Sequence, residues 1–243
     1  ALTSDGQGGF GFSAVGIVEV ATFDDLPTVD PPQIGYVVDQ EEYYSTTPIS
    51  GTPFDLTSST FSKSINSQTT RPTGIAWNND GTQLYETRDF PGEIFQSTLS
   101  TPFDISTASL QTSINAQDDD MGGIAWNNDG SQLYEVSDGV IFQFDVSTPF
   151  DISTASLTTS INSEATFPSA IAWNNDGSQL YEVGENAGVI NQLSLSTPFD
   201  ISTASFSNSI SSQAENPGDI AWNTDGSQLY EMGEGDIFQL SLS

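Results

Sequence analysis

Apolar and polar residues alternate in short runs along most of this chain, and turn residues separate the runs. In one well-marked stretch, the alternation predicts four consecutive strands, at 123–126, 132–136, 140–144 and 155–161. Asp-Gly pairs between the runs supply the positive φ that tight hairpins require. No stretch has a helical period of useful length. The pattern therefore predicts an all-β protein built from short antiparallel strands.

Two strings of residues recur four times and set the period of this pattern. The first, AWNNDG(S/T)QLYE with one AWNTDG variant, contains Trp77, Trp126, Trp173 and Trp222. The second, TPFD, recurs in step with it from Thr52, Thr101, Thr148 and Thr197. Four short strands in each repeat of 47 to 49 residues is the spacing of β-propeller blades. We therefore expect a four-bladed β-propeller over 52–243, in repeats 52–100, 101–147, 148–196 and 197–243.

The positions at which the repeats begin and end along the chain indicate how such a ring would close. Counted from its tryptophan strand, the last blade ends after its third strand, whereas residues 60–65 have the pattern of a fourth strand. Pairing residues 60–65 with the last blade would join the two ends and remove the exposed edges. We expect this closed ring, in which an N-terminal segment supplies the outer strand. The alternative is an open arc of four blades that a second chain completes.

Residues 1–51 lack the repeat and differ from it in composition. They carry eight acidic residues and no lysine or arginine, and 15–21 and 34–38 read as strands. So short a segment cannot bury a large core by itself. We therefore expect a small β-rich module that packs on the propeller or on another chain and serves for attachment. A plain N-terminal arm is the alternative.

The charged residues exclude several kinds of chemistry. The chain has 33 Asp and Glu against 3 Lys and Arg, a net charge of −30, and no His or Cys. Three cations cannot form a surface that binds nucleic acid. Without His or Cys there is no imidazole base, thiol nucleophile or zinc-thiolate site. No apolar run reaches the roughly 18 residues of a membrane span. We expect a protein that is not an enzyme, does not insert into membranes and requires no cofactor. If it binds a metal, we expect Ca²⁺ or Mg²⁺ held by oxygen ligands.

Loops that differ among the repeats indicate where a partner could bind. They precede each tryptophan strand or follow each Tyr-Glu strand, so we expect them on one face of the disc. Binding residues commonly lie on loops held by a rigid scaffold, although drift of unconstrained loops explains such variation equally well. The candidate metal ligands are Asp118, Asp119 and Asp120, for which a solvated acidic loop is the alternative. The candidate binding face comprises Arg71, Phe90, Met121, Asp138, Phe167, Asn186, Asn216 and Glu234.

Two stretches resemble families of virus proteins. The unit from TPFD-IST-AS through SIN to AWN-DG-QLY is similar to propeller repeats of phage and environmental virion proteins. Residues 20–27, followed by 35–38 and a Tyr-Tyr pair, resemble a short linker module of tail-fibre and baseplate proteins of tailed viruses. In the repeat family a lysine often precedes the leucine of the second strand, where this chain has Gln83, Gln132, Gln179 and Gln228. Such a lysine-poor, acidic surface fits a halophilic host.

The resemblance implies a structural surface protein of a haloarchaeal tailed virus, either a capsid turret (spike) or a tail fibre. It would lie on the particle surface, in an extracellular high-salt medium, and residues 1–51 would bind other virion structural proteins. The propeller would then face the host and attach to a surface glycan or glycoprotein. We also expect a homo-oligomer, because such assemblies are symmetric. The alternatives are a secreted or cell-surface adhesin of a halophile and a Ca²⁺-dependent propeller hydrolase.

Overall fold

The computed structural model describes residues 61–165, 167–184, 188–214, 216–233 and 235–242, together with five strands before residue 61. The chain divides into two compact units, Ala1–Ser62 and Lys63–Ser243, whereas the sequence repeat begins at Thr52. Two strands of the first unit correspond to those predicted at 15–21 and 34–38. Its strands form an antiparallel sheet, β1 (Leu2–Ser4), β2 (Phe10–Ala14) and β3 (Ile17–Val20), and an antiparallel pair, β4 (Ile34–Val37) and β5 (Tyr43–Ser45).

The second unit consists of four antiparallel sheets, one for each repeat, which confirms the predicted four-bladed β-propeller. The first strand of each blade lies against the first strand of the next blade along the chain. Blade 1 is β6 (Pro72–Trp77), β7 (Gln83–Arg88), β8 (Glu93–Leu99) and β9 (Ala108–Asn115); blade 2 is β10 (Met121–Trp126), β11 (Gln132–Ser137), β12 (Val140–Val146) and β13 (Ala155–Asn162). Blade 3 is β14 (Pro168–Trp173), β15 (Gln179–Gly184), β16 (Val189–Leu195) and β17 (Ala204–Ser211); blade 4 is β18 (Pro217–Trp222), β19 (Gln228–Gly233) and β20 (Asp236–Ser241).

The repeated Asn-Asn-Asp-Gly string forms the hairpin between the first and second strands of each blade. In blade 2, Asp129 accepts a hydrogen bond from the backbone N–H of Ser131, and Asn127 accepts one from the backbone N–H of Gln132, both over 3.0 Å. Gly130 has φ 73°, a left-handed conformation that favours glycine. The string therefore repeats because the hairpin needs it.

A corner formed by the TPFD string and the residues after it closes the groove between two neighbouring blades. In blade 2, the Phe150 ring packs on Trp126, with the ring centroids 5.3 Å apart, and the ring lies over Gly130. A single 3-10 turn (Ile152–Thr154) follows, with Asp151 capping its first N–H groups. Ile152 is only 1% exposed and packs among residues of blades 1 and 2. The helical elements of the described residues are three such turns, and none is long enough to cross a membrane: Ile105–Thr107, Ile152–Thr154 and Ile201–Thr203.

The closing strand predicted at 60–65 is not part of the described sheets. Residues 61–67 are exposed and form no strand, residue 60 lies outside the described residues, and blade 4 contains three described strands. Lys63 forms an ion pair with Asp104, over 2.5 Å, at the corner of blade 1. In addition, β6 and β18 do not pack on each other as the first strands of the other neighbouring blades do. The structure thus confirms the four blades, whereas the described residues do not include a pairing of 61–65 with β20. The contact at Asp104 matches the one that the outer strands β9 and β13 make with the 3-10 turns of the next blade.

Candidate functional site

Loops from several blades line a depression of about 210 Å³ on the face that carries the variable loops. The structure brings together three residues of the predicted binding face there, Met121, Asp138 and Phe167. Met121 is buried, whereas the Phe167 ring is 52% exposed at the rim. Asn216 lies in the loop before β18 and is exposed; Asn186 and Glu234 lie outside the described residues. The remaining lining residues are Thr73, Asp89, Asp120, Gly122, Pro168, Ser169 and Gly218.

The other two predicted residues of this face, Arg71 and Phe90, belong to blade 1 and contact the depression through Asp89. The Arg71 guanidinium forms an ion pair with Asp89 over 2.6 Å and lies 5.4 Å from the centroid of the Phe90 ring. The Phe90 N–H donates to the backbone carbonyl of Asp119 in the next blade over 3.0 Å. This network fixes the blade 1 hairpin against the acidic loop of blade 2.

The acidic loop itself, Asp118 to Asp120, does not form a set of metal ligands. Asp118 accepts hydrogen bonds from the backbone N–H groups of Asp119, over 2.7 Å, and Asp120, over 3.4 Å. The carbonyl of Asp120 accepts from the hydroxyl of Ser137 over 2.9 Å. Within the described ranges, no group of three or more acidic side chains is arranged to hold a metal ion. The three carboxylates predicted as ligands are therefore not brought together, because Asp118 is engaged with the backbone of its own loop.

The depression has a negative electrostatic character. Partial burial raises the pKa of Asp120, and the nearby carboxylates of Asp89, Asp138 and Asp118 raise it further, while Arg71 opposes them. Carboxylates accept hydrogen bonds and attract cations. The arrangement is therefore suited to hydroxyl-bearing or cationic groups rather than to anions.

Three loops at this face hold a non-glycine residue in the left-handed region of backbone space. Phe90, Asp138 and Phe167 have φ of 42°, 39° and 51°. This conformation is uncommon for bulky residues and persists only where the surrounding structure holds it in place. In Phe90 and Phe167 it accompanies rings that are 53% and 52% exposed. A rigid scaffold thus presents two apolar rings beside an acidic depression.

Four buried glutamates, which the sequence reasoning did not single out, connect the blades. Each is the Glu of a QLYE string, and the set is Glu86, Glu135, Glu182 and Glu231. Glu135 accepts the backbone N–H of Gln117, in the loop entering blade 2, over 2.8 Å. Burial raises the pKa of Glu135 to about 7 despite this hydrogen bond. The glutamate that recurs in every QLYE string was the sequence feature that could have revealed them. Their carboxylates hold the loops that connect neighbouring blades and do not line the depression.

Comparisons with known proteins place this chain by its fold alone. No family profile and no curated protein sequence matches it. Among solved structures, it is similar to a functionally unknown protein from Desulfotomaculum acetoxidans, with 15% identity and a TM-score of 0.53 over 74% of this chain and 55% of that one. It is also similar to Kuenenia stuttgartiensis hydrazine synthase, with 15% identity and a TM-score of 0.51 over 74% and 48% of the two chains. A chain of a mitotic checkpoint complex matches with 12% identity and a TM-score of 0.51 over 70% and 49%. This chain therefore spans about half the length of the solved chains that it resembles.

Proposed function

We propose that this chain is a structural surface protein of a virus of halophilic archaea, a capsid turret or tail fibre that presents the propeller for attachment to the host. The observation that carries this proposal is the net charge of −30 on the chain. The chain has 33 acidic residues and only three basic ones. Each basic side chain forms an ion pair: Lys63 with Asp104, Arg71 with Asp89, and Arg88 with Glu93. A compact protein with this charge repels itself at ordinary ionic strength, and concentrated salt screens the repulsion.

The virion location rests on the repeats and the N-terminal segment. The TPFD and AWN-DG-QLY strings are similar to repeats of virion proteins, and residues 20–27 resemble a linker module of tail fibres and baseplates. In the proposed arrangement residues 1–51 bind other virion proteins, and the propeller lies outward in the high-salt medium. The same reading makes the chain a binding protein rather than an enzyme, and the absence of any His or Cys from the sequence supports it.

Host attachment is assigned to the rim of the acidic depression. Phe90 and Phe167 expose about half of each ring there, and Asp89, Asp120 and Asp138 lie close by. Aromatic faces offer apolar contact area, and carboxylates accept hydrogen bonds from hydroxyl groups. These two chemistries together suit a surface glycan or a glycoprotein of the host envelope.

A binding assay with envelopes of halophilic archaea in molar salt tests this function. The full chain is expected to bind saturably, and Phe167→Ser should weaken the binding at least about tenfold if the ring contacts the receptor. The matched control is Phe206→Ser, because Phe206 is 51% exposed, close to the 52% of Phe167, but lies on an outer strand.

The outcomes of this assay separate attachment from a purely architectural role. Saturable binding that Phe167→Ser weakens and Phe206→Ser leaves unchanged would support the proposed face. Equal loss in both variants would assign binding to another surface. Absence of saturable binding to any envelope would contradict host attachment, and failure to find the propeller on virus particles in whole-particle density would contradict the virion role.

A further inference from the structure

Glu135 differs from the equivalent glutamates of blades 3 and 4 in the partners of its carboxyl group. In blade 3, the hydroxyl of Ser163 donates a hydrogen bond to Glu182 over 2.8 Å. The same position of blade 4 is also a serine whose hydroxyl donates to the glutamate of its blade. In the loop that enters blade 2, this position is Ala116, which has no hydroxyl group. Glu135 therefore lacks a donor that its equivalents in blades 3 and 4 use.

A second donor of blade 3 is also missing from blade 2. The side-chain amide of Asn191, which pairs with Glu182 in the sheet, donates to that carboxylate over 3.2 Å. The residue that pairs with Glu135 is Phe142, which has no polar group in its side chain. Oε1 of Glu135 accepts the backbone N–H of Gln117 over 2.8 Å, whereas Oε2 is buried with no hydrogen bond to any described residue. One oxygen of a buried carboxyl group thus lacks a partner.

An exposed loop, residues 116–120, lies over this carboxyl group. Glu135 is 0% exposed, whereas residues 117–120 are all exposed to solvent. The backbone of Gln117 and Asp118 approaches the carboxyl group from the loop. A single layer of chain therefore separates the ionisable group from water, and a small displacement of the loop would hydrate it.

The surroundings of Glu135 favour its protonated form. Burial raises the pKa of Glu135 to about 7 against the lowering effect of the backbone N–H groups of Gln117 and Asp118, and the Asp118 carboxylate raises it further. The neighbouring strands place the uncharged Ile124 and Phe142 opposite Glu135. The three basic side chains of the protein each pair with another carboxylate. The ionised form is therefore costly while the loop is closed.

The same loop forms part of the acidic depression. The backbone carbonyl of Asp119 accepts the N–H of Phe90 over 3.0 Å, and that of Asp120 accepts the N–H of Asp138 over 3.3 Å. Phe90 and Asp138 are two of the residues that this face holds in the left-handed conformation. Displacement of the loop would therefore release hydrogen bonds that hold the rim of the depression.

We infer that residues 116–120 form a pH-sensitive switch over Glu135. While the carboxyl group is protonated, the loop stays closed. Ionisation of Glu135 increases the population of an open form in which water reaches both carboxylate oxygens, and the rim of the depression loosens with it. The inference adds a regulatory device to the molecule and does not depend on the proposed function.

The pH range of the switch follows from the two environments of Glu135. The carboxyl group has its ordinary pKa of 4.5 when the open form exposes it to water, and a pKa of about 7 when the loop is closed. The closed form therefore binds the proton more tightly, so opening increases as the pH rises from about 4.5 to about 7 and levels off above that. The interval between the two values limits the increase to about 300-fold.

Hydrogen exchange of the Ala116 backbone amide tests the switch. This N–H donates to the carbonyl of Gly92 over 3.0 Å and not to Glu135, so its protection reports the position of the loop. The full chain in molar salt is measured at several pH values, and each rate is corrected for the chemical exchange rate at that pH. The corrected rate should rise at least about tenfold up to about pH 7 and then stay constant.

Three variants show whether Glu135 causes this rise. Glu135→Gln should abolish it, because the amide does not ionise. Ala116→Ser should reduce it at least about threefold, because a hydroxyl at this position stabilises the ionised carboxylate inside the closed loop. Glu164→Gln is the matched control: it makes the same exchange at an exposed position of the equivalent loop of blade 3, and it should leave the rise unchanged.

Low concentrations of urea separate opening of the loop from unfolding of the whole propeller. Local opening exposes little surface, so exchange of the Ala116 amide should not respond to urea, whereas exchange of the β11 amides should accelerate. A corrected rate that does not change with pH would overturn the inference. A rise that persists in Glu135→Gln would also overturn it, and so would an equal response of Ala116 and β11 to urea.

Discussion

The side-chain amide of Asn128 donates a hydrogen bond to the backbone carbonyl oxygen of Asn175 in the next blade, over 2.7 Å. The same bond joins Asn79 to Asn128 and Asn175 to Thr224, so one asparagine per blade links blades 1 to 4 in order. The series ends at Thr224, where the repeat replaces the asparagine. A residue that looks like part of a hairpin motif therefore also fixes the contact between neighbouring blades.

Removing one of these amides should weaken the contact between two blades. Asn128→Ala is expected to lower the free energy of unfolding by about 1 kcal/mol, because the carbonyl of Asn175 loses its partner. Thr224→Ala is the matched control, since the Thr224 side chain makes no hydrogen bond among the described residues, and it should change the stability by less than about 0.5 kcal/mol. Chemical denaturation in molar salt measures both. Equal effects of the two substitutions would show that the inter-blade bond adds nothing to stability.

The contact between the hairpin glycine and the corner phenylalanine should limit what the hairpin tolerates. Gly177→Ala combines a φ of 72° with a methyl group 2.3 Å from the Phe199 ring, and Gly139→Ala has the same backbone strain with no described atom within 4 Å. We expect Gly139→Ala to cost about 1 kcal/mol and Gly177→Ala at least about 2 kcal/mol more, because the ring must move. Thermal unfolding of both variants checks this difference. A similar loss in both would mean that the ring moves aside without cost.

The buried Glu135 should make the protein less stable as the pH rises. Its pKa is about 7 in the folded chain against 4.5 for the ordinary value, so the folded state binds the proton more tightly between these limits. The free energy of unfolding should therefore fall as the pH rises from about 4.5 to about 7, by at most about 3 kcal/mol from this group. Glu135→Gln should remove that part of the pH dependence, and Glu164→Gln, at an exposed position, should not. Denaturation curves at several pH values in molar salt measure the slopes; identical slopes for the Glu135 variant and the natural chain would contradict the prediction.

Salt should stabilise the fold strongly. With 33 acidic and 3 basic residues, repulsion among carboxylates outweighs the three ion pairs, and salt shortens the range of that repulsion from about 10 Å at 0.1 M to about 3 Å at 1 M. We expect the melting temperature to rise steeply between these concentrations. Neutralising the exposed loop by Asp118→Asn and Asp119→Asn should reduce the slope. A melting temperature that does not respond to salt would contradict the halophilic assignment.

Strand positions could be predicted from the sequence wherever they depend on residues within a single blade. The runs predicted at 132–136 and 140–144 became β11 (Gln132–Ser137) and β12 (Val140–Val146), because alternation and Asp-Gly turns act over a few residues. The convergence of Met121, Asp138 and Phe167 also followed from the loop order, since equivalent loops of a repeat share a face. The metal set at Asp118 to Asp120 did not form, because a run of acidic residues does not tell which oxygens turn towards the backbone.

The four repeats, their strands and turns, and the excess of acidic residues are predictable from the chain alone, because each of these depends on residue type and short-range spacing. The contacts between blades are visible only in the folded protein. There, Glu135 of β11 accepts a hydrogen bond from Gln117 in the loop between blades 1 and 2, and Asn128 donates one to Asn175 of the next blade. These contacts join residues that are distant in the chain, so they depend on how the blades pack on one another.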